Sequence, residues 1–267
     1  MEYSEYQHLL FDRKDNGVML VTLNRPEIMN ATNARLHWEL TKVWDTVNED
    51  DSVKVIVVTG AGDRAFSAGG DSSWIAEMVG NADYIQTARK EAADIVYKML
   101  DTDKPIISAI NGVAVGAGLA VAMMADIPII AEEARFTDGH VKLGVSAGDH
   151  AAIIWPLLCG MAKAKYYLMT AEFISGKEAE QMGMVAKCLP REEVLPEALR
   201  IADKLAKGSQ PAIQGTKKTL NGWMRMAGPI FDHSLNVEMM CFLGSDAEEG
   251  VAAFREKREA NFPSANK

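Results

Sequence analysis

The feature that most constrains the fold is a stretch of twenty residues, 106–125, without a single charged side chain (IISAINGVAVGAGLAVAMMA). Such a stretch either crosses a membrane or lies inside a folded core. Gly112 and Gly116 have the GxxxG spacing of packed membrane helices, so a membrane span is one alternative. Asn111-Gly112, however, is typical of a turn, which would interrupt a span. The favoured interpretation is a buried strand, a Gly-rich turn and a buried helix.

Other apolar runs recur along the first 191 residues and alternate with helical periodicity. The predicted strands cover 17–23, 53–59, 105–110 and 127–131, and a helix is predicted over about 119–124. Strands that are apolar on both faces and separated by helices indicate an α/β fold with parallel pairing. From Glu192 onward the pattern is helical only. We therefore predict a core over 1–191 and a C-terminal helical region over 192–267.

Composition narrows the classes of function. The 267 residues carry 28 Lys and Arg against 37 Asp and Glu, for a net charge of −9. This balance gives no general attraction to nucleic acid or to anionic lipid. Cys159, Cys188 and Cys241 form neither a disulfide framework nor a zinc motif, and no other metal-binding set is recognised. The charged first twenty residues lack the features of a signal peptide, so we expect a cytoplasmic protein without nucleic-acid or membrane partners.

Two short motifs suggest other enzyme classes. The segment GVSAG (144–148) matches the GxSxG nucleophile elbow, but the residues before it are too polar for the buried strand that an elbow requires. The segment GAGLAV (116–121) comes within one residue of the GxGxxG dinucleotide fingerprint, but the third glycine is missing. Neither motif supports its usual function.

Two Gly-rich turns, each predicted between a strand and a helix, could act together. Unpaired N–H groups at such turns can hold an oxyanion. In order along the chain, LVTLNRP (20–26), VKVIVVTGAGDRAFSAGGD (53–71), KPIISAINGVAVGAGLAVAMMADI (104–127) and GVAAFREKREANF (250–262) resemble the crotonase superfamily of enoyl-CoA hydratases and isomerases. The resemblance covers nearly the whole chain.

This resemblance implies a crotonase-like ββα spiral core of four turns and a C-terminal helical trimerisation region, giving a homotrimer or a dimer of trimers. It implies an acyl-CoA substrate, with CoA as part of the substrate and no separate cofactor. The N–H groups of Gly70 and Ala117 would form the oxyanion hole. The substrate-binding positions would be Ala65, Ala68, Asp71, Lys257 and Arg258, the last two near the CoA phosphates. A solvated helix face is the alternative for Lys257 and Arg258.

The two catalytic glutamates of the family's hydratases have no counterpart here. Their positions are occupied by Ala120 and His140. A two-glutamate hydration mechanism therefore cannot operate in its usual form.

The segment around His140 resembles a smaller branch of the superfamily, the oxocamphor hydrolase type, which cleaves a carbon–carbon bond of cyclic β-diketones. Asp149 lies nine residues after His140. A carboxylate on the second ring nitrogen of a histidine fixes its tautomer, so we expect a catalytic His140/Asp149 pair. His150 is a competing partner for Asp149.

Three further residues are weaker candidates for the site. His37 and Trp74 could line the pocket, and Glu238 lies where relatives often have a glutamate, although a core position or a structural ion pair is the simpler expectation. Three functions remain open at this stage: an acyl-CoA enzyme, a C–C bond hydrolase acting on a small diketone, and a binding protein without turnover. Lys257 and Arg258 favour the first.

Overall fold

The computed structural model describes residues 1–267 and contains ten short strands in two sheets. The strands are Leu9–Arg13 (β1), Val18–Leu23 (β2), Val55–Gly60 (β3), Ala65–Ser67 (β4), Ile106–Ile110 (β5), Val113–Val115 (β6), Ile127–Ala131 (β7), Arg135–Thr137 (β8), Ile174–Ser175 (β9) and Lys187–Leu189 (β10). The larger sheet has the order β1-β2-β3-β5-β7-β10, and the smaller has the order β4-β6-β8-β9.

Eleven helices cover the sheets. They are Ala34–Glu49 (α1), Ser72–Met78 (α2), Ala82–Asp101 (α3), Gly116–Met124 (α4), Ala151–Cys159 (α5), Met161–Thr170 (α6), Gly176–Met182 (α7), Arg191–Ala206 (α8), Gln210–Met226 (α9), Gly228–Cys241 (α10) and Ser245–Glu256 (α11). A short 3-10 turn, His140–Leu143, lies between β8 and α5.

The chain is a spiral of ββα units. In three successive units, β3-β4, β5-β6 and β7-β8, the first strand joins the larger sheet and the second joins the smaller one, and a helix follows. β1, β2 and α1 form the unit before them. The pairings β2/β3, β3/β5 and β5/β7 are parallel, as are β4/β6 and β6/β8. The predicted α/β fold with a ββα spiral is confirmed.

The uncharged stretch 106–125 forms β5, a turn, β6 and α4, all within the core. Every residue of β5 is buried, as are eight of the nine residues of α4. The helix begins at Gly116, three residues before the predicted start. No helix in the chain combines the length and apolarity needed to span a bilayer.

The C-terminal part is helical, as predicted, and begins with α8. Val194, Ala198 and Ala202 of α8 are fully buried in the same hydrophobic core as the sheets. The division between 191 and 192 stays a prediction, because one continuous core runs through both parts.

A buried ion pair attaches α9 to the residues just before β5 and β7. The Nζ atom of Lys217 lies 2.8 Å from Asp126 Oδ2 and donates to the carbonyl oxygen of Lys104 at 2.9 Å. The Lys217 side chain is only 5% exposed, whereas that of Asp126 is 19% exposed. Removing the carboxylate would leave the buried ammonium without its counter-charge.

We expect Asp126→Asn to lower the free energy of unfolding by roughly 2 to 3 kcal/mol, somewhat less than for a fully buried pair, because Lys217 keeps one carbonyl acceptor. Asp103→Asn is the matched control, since its partner Lys218 is 61% exposed. Exposed pairs contribute less than about 1 kcal/mol. Urea unfolding measures both values, and equal small losses would contradict this account of the buried pair.

Candidate active site

A cavity of about 690 Å³ lies between the turns that follow β4 and β6 on one side and the C-terminal helices α10 and α11 on the other. One wall comes from α2 and α3, and we call it the apolar wall: Trp74, Ile75, Met78, Ala88 and Ala92. The opposite side is formed by the 3-10 turn, by α10 and by the segment after α11, which includes Phe262. An apolar cavity with a few polar groups is the usual form of a small-molecule site.

Gly70 and Ala117 both line the cavity, as the sequence predicted. Gly70 follows β4 and Ala117 follows β6, and these strands are parallel neighbours, so their carboxyl ends meet at one edge of the small sheet. No oxygen of the chain accepts from the Gly70 N–H. Ala117 lies in the first turn of α4, where N–H groups have no helical partner. The two donors can therefore serve a ligand oxygen.

Close packing fixes the relation between these two donors. A Cβ atom on Gly118 would lie 2.2 Å from the Ser67 Cβ atom, so only glycine allows α4 to approach β4 this closely. Ser67 Oγ in turn donates to the Asn30 carbonyl at 2.8 Å. Gly116, at φ +48, supplies the left-handed residue with which the chain enters α4.

His140 stands at the centre of a cluster of carboxylates in the same cavity. Its Nδ1 atom lies 2.7 Å from Asp138 Oδ1. On the other side of the ring, Nε2 lies 3.4 Å from Glu238 Oε1 and 3.9 Å from Asp149 Oδ2. The three carboxylate residues are buried, and the His140 side chain is 11% exposed.

The predicted hydrogen bond by which Asp149 orients His140 is not formed. Asp138 holds Nδ1, and Asp149 instead pairs with His150, whose Nδ1 atom lies 2.6 Å from Asp149 Oδ1. The reason is local: Asp138 precedes His140 by two residues in the turn after β8, so its carboxylate reaches the near nitrogen of the ring. Asp149 contributes negative charge on the Nε2 side.

The carboxylates control the protonation of His140. Burial by itself lowers the pKa of a histidine, but Asp138, Glu238 and Asp149 together outweigh it and raise the pKa of His140 well above its usual value. Burial raises the pKa of Glu238, and the nearby Asp149 and Asp138 add to this, against the opposing charge of His140. Burial acts to raise the pKa of Asp149, but His150 and His140 outweigh it and hold that pKa low.

The structure brings four further predicted residues to the cavity: Ala68, Trp74, His37 and Arg258. Glu238, expected as a structural ion pair, faces His140. Ala120 is buried in α4 and does not line the cavity.

Three predicted substrate-binding residues lie outside the cavity lining. Ala65 is buried in β4, and its carbonyl accepts from Asn30. Asp71 caps α2 by accepting from the Ser73 N–H, and it lies 3.6 Å from Arg25. Lys257 ends α11 in a left-handed conformation. Helix capping thus accounts for Asp71 and Lys257 without a ligand.

Sequence reasoning missed Asp138 as a member of the site. The available signal was its place in the TDGH segment, two residues before His140 and at the end of a strand. Ligand atoms of Asp138, His140 and Asp149 lie within 4.8 Å of one another, a spacing that a metal ion could bridge. The GVSAG segment follows a 3-10 turn and not a strand, so it is not a nucleophile elbow.

The model of the enoyl-CoA hydratase/isomerase family matches residues 13–265. The chain belongs to this family. It is 33% identical to a crotonyl-CoA hydratase of Syntrophomonas wolfei over 264 residues, which cover 96% of this chain and 98% of that protein.

Solved structures agree with the family assignment. An enoyl-CoA hydratase/isomerase from Mycobacterium paratuberculosis has a TM-score of 0.87 at 32% identity, covering 92% of this chain and 97% of that one. A β-diketone hydrolase from the cyanobacterium Anabaena, bound to (S)-3-oxocyclohexyl acetic acid, has a TM-score of 0.83 at 26% identity, covering 90% and 96%. The chain is thus similar to members with two different chemistries.

Proposed function

We propose that this enzyme binds an acyl-CoA thioester in the cavity and transfers protons at the carbon next to the thioester carbonyl. The observation that carries the proposal is that two free N–H donors and the His140 cluster line one cavity. Enoyl-CoA hydratases among the relatives support CoA as the carrier. The carbonyl oxygen, as it becomes an enolate, would accept from Gly70 and Ala117.

His140 and Glu238 would share the proton transfer. The neighbouring carboxylates raise the pKa of His140, which favours its protonated form, and this form can donate from Nε2. Burial raises the pKa of Glu238, so its ionised form is a stronger base than an exposed carboxylate and can accept a proton. Asp138 fixes the ring through Nδ1. We assign the cluster to proton transfer, because the Nε2 atom of this held ring lies 3.4 Å from Glu238 Oε1.

If water adds across a double bond, each proton has a place in this scheme. Glu238 takes the proton of the attacking water, the hydroxyl bonds to the β carbon, and His140 gives its proton to the α carbon. Transfer of the proton from Glu238 to His140 restores both groups, and their separation of 3.4 Å permits it. His140 and Glu238 thus take the two roles that the missing glutamates have in the family's hydratases.

A second candidate is hydrolysis of a carbon–carbon bond in a β-diketone. The similarity to the Anabaena hydrolase favours it, together with a buried histidine beside three carboxylates. In that reaction the cluster would activate water for attack on a ketone, and no CoA would be needed.

Binding calorimetry separates the two candidates. We expect wild-type protein to bind butyryl-CoA or hexanoyl-CoA. We expect it not to bind cyclohexane-1,3-dione. Arg258→Gln should weaken acyl-CoA binding, because Arg258 lines the cavity. Arg200→Gln is the matched control, because Arg200, on α8, is 61% exposed, pairs with Glu197 and does not line the cavity. Binding of the diketone without binding of any acyl-CoA would replace the first candidate with the second.

We also propose that the protein is a trimer or a dimer of trimers. Large apolar side chains are exposed on α9 and α10: Leu220, Trp223, Met226, Ile230 and Met240, from 59% to 75% exposed. Apolar patches of this kind usually mark interfaces. We expect Leu220→Glu to reduce the sedimentation coefficient, whereas Leu10→Glu, at an isolated exposed leucine on β1, should not. A monomeric wild-type protein at micromolar concentration would contradict this assembly.

A further inference from the structure

A second histidine–carboxylate pair lies in the cavity, apart from the His140 cluster. The Nδ1 atom of His37, on α1, lies 2.7 Å from Glu91 Oε2 on α3. The ring is 4.8 Å from the ring of Trp74, and His37 lines the cavity beside the apolar wall. His37 is 4% exposed.

The unpaired nitrogen of this histidine faces the cavity. Glu91 occupies Nδ1, and no protein atom hydrogen-bonds to Nε2. This Nε2 atom is also not sealed from solvent. Nε2 of His150, in contrast, is sealed from solvent and has no hydrogen-bond partner. The free ring nitrogen of His37 is therefore accessible from the cavity that His37 lines.

This arrangement has a consequence for the ligand. A purely apolar acyl group lying on this wall would remove water from Nε2 and offer nothing in return, which is unfavourable for a buried polar group. An oxygen on the acyl group would replace that water and complete the hydrogen bonding. When His37 is neutral, its Nδ1–H group donates to Glu91, so Nε2 carries no proton and can accept a hydrogen bond from a hydroxyl. When His37 is protonated, Nε2 can donate to a ketone.

We infer that His37 and Glu91 form a recognition site for a hydroxyl or ketone oxygen on the acyl chain, distant from the thioester. The inference rests on the proposed acyl-CoA function and specifies its substrate class as oxygenated acyl groups. A polar group in a binding site favours the oxygenated acyl group over the unsubstituted one, because the unsubstituted acyl group cannot make the hydrogen bond.

The test compares hexanoyl-CoA with hexanoyl-CoA carrying a hydroxyl or a ketone at the fourth or fifth carbon, beyond the carbon that the proposed reaction hydroxylates. We expect wild-type protein to bind at least one oxygenated member about tenfold more tightly than hexanoyl-CoA, as one hydrogen bond to a buried polar group can provide. His37→Phe should remove that preference, so that the ratio of the two affinities falls to about one. His37→Gln, which keeps a hydrogen-bonding group, should retain part of it, and Glu91→Gln should weaken it.

Two results would overturn the inference. One is that wild-type protein binds every member equally, a measurement that needs no variant. The other is that His37→Phe, still folded by circular dichroism, weakens hexanoyl-CoA and its oxygenated counterparts by the same factor. In both cases acyl-CoA binding by wild-type protein would leave the proposed function standing. Failure of wild-type protein to bind any acyl-CoA would overturn the proposed function and this inference together.

Discussion

Replacing His140 with alanine is expected to lower kcat by about 10²- to 10⁴-fold, the usual contribution of a general acid–base group. The physical reason is that His140 is the protonated group held between Asp138 and Glu238, and no other cation reaches this part of the cluster. His233→Ala is the matched control, because His233 is exposed on α10. Steady-state kinetics on an acyl-CoA that turns over measures both.

The pH profile distinguishes catalysis by His140 from a structural role. Since the pKa of His140 is raised, activity that needs the imidazolium persists above the usual titration range of histidine and is lost as the pH rises through that raised value. Activity that needs ionised Glu238 is lost as the pH falls through its own raised pKa. We expect His140→Ala to lose the alkaline limb. A variant with unchanged kcat and an unchanged alkaline limb would show that His140 only supports the fold.

Gly118→Ala is expected to lower kcat by about 10²- to 10³-fold, the cost of losing an oxyanion-hole donor. The added methyl would lie 2.2 Å from the Ser67 Cβ atom. To relieve that contact, the start of α4 must move away from β4. The N–H groups of Gly70 and Ala117, which we propose as the oxyanion hole, would then be displaced relative to each other, although neither residue has been changed.

Gly215→Ala provides the matched control for this substitution. A Cβ atom at Gly215, on the exposed surface of α9, meets nothing within 4 Å. There the same change should leave kcat unaffected and should stabilise the helix by roughly 0.5 to 1 kcal/mol. Full activity in a folded Gly118→Ala protein would mean that the spacing of β4 and α4 does not set the oxyanion hole.

The fold was largely predictable because its longest strands are apolar on both faces. Continuous apolar runs predict β3, β5 and β7, since parallel strands covered by helices need no polar face, and strand-like alternation predicts β2. The strands of the small sheet were not predicted. β4, β6 and β8 have three residues each, too few for a periodic pattern, and their pairing partners are far away in sequence.

The site was predictable to the extent that its chemistry depends on local sequence. Gly70, Ala117 and His140 are predicted from the resemblance to the crotonase superfamily, and all three line the cavity. The hydrogen bond to His140 comes from Asp138 and not from Asp149, because a spacing of nine residues does not determine the distance across a turn. Glu238, from α10, and Glu91, from α3, are brought to their histidines only by tertiary packing.

The most direct test of the central claim is hydrogen exchange at the α carbon of bound hexanoyl-CoA in deuterated water, followed by mass spectrometry. This measurement needs no knowledge of the natural substrate, because it reports enolate formation alone. We expect wild-type protein to incorporate deuterium, with His140 taking the α proton after it has passed its own proton to Glu238, and we expect His140→Ala to do so at least about 100-fold more slowly. Wild-type protein that binds hexanoyl-CoA without exchanging its α protons, or a variant that exchanges them equally fast, would contradict the account.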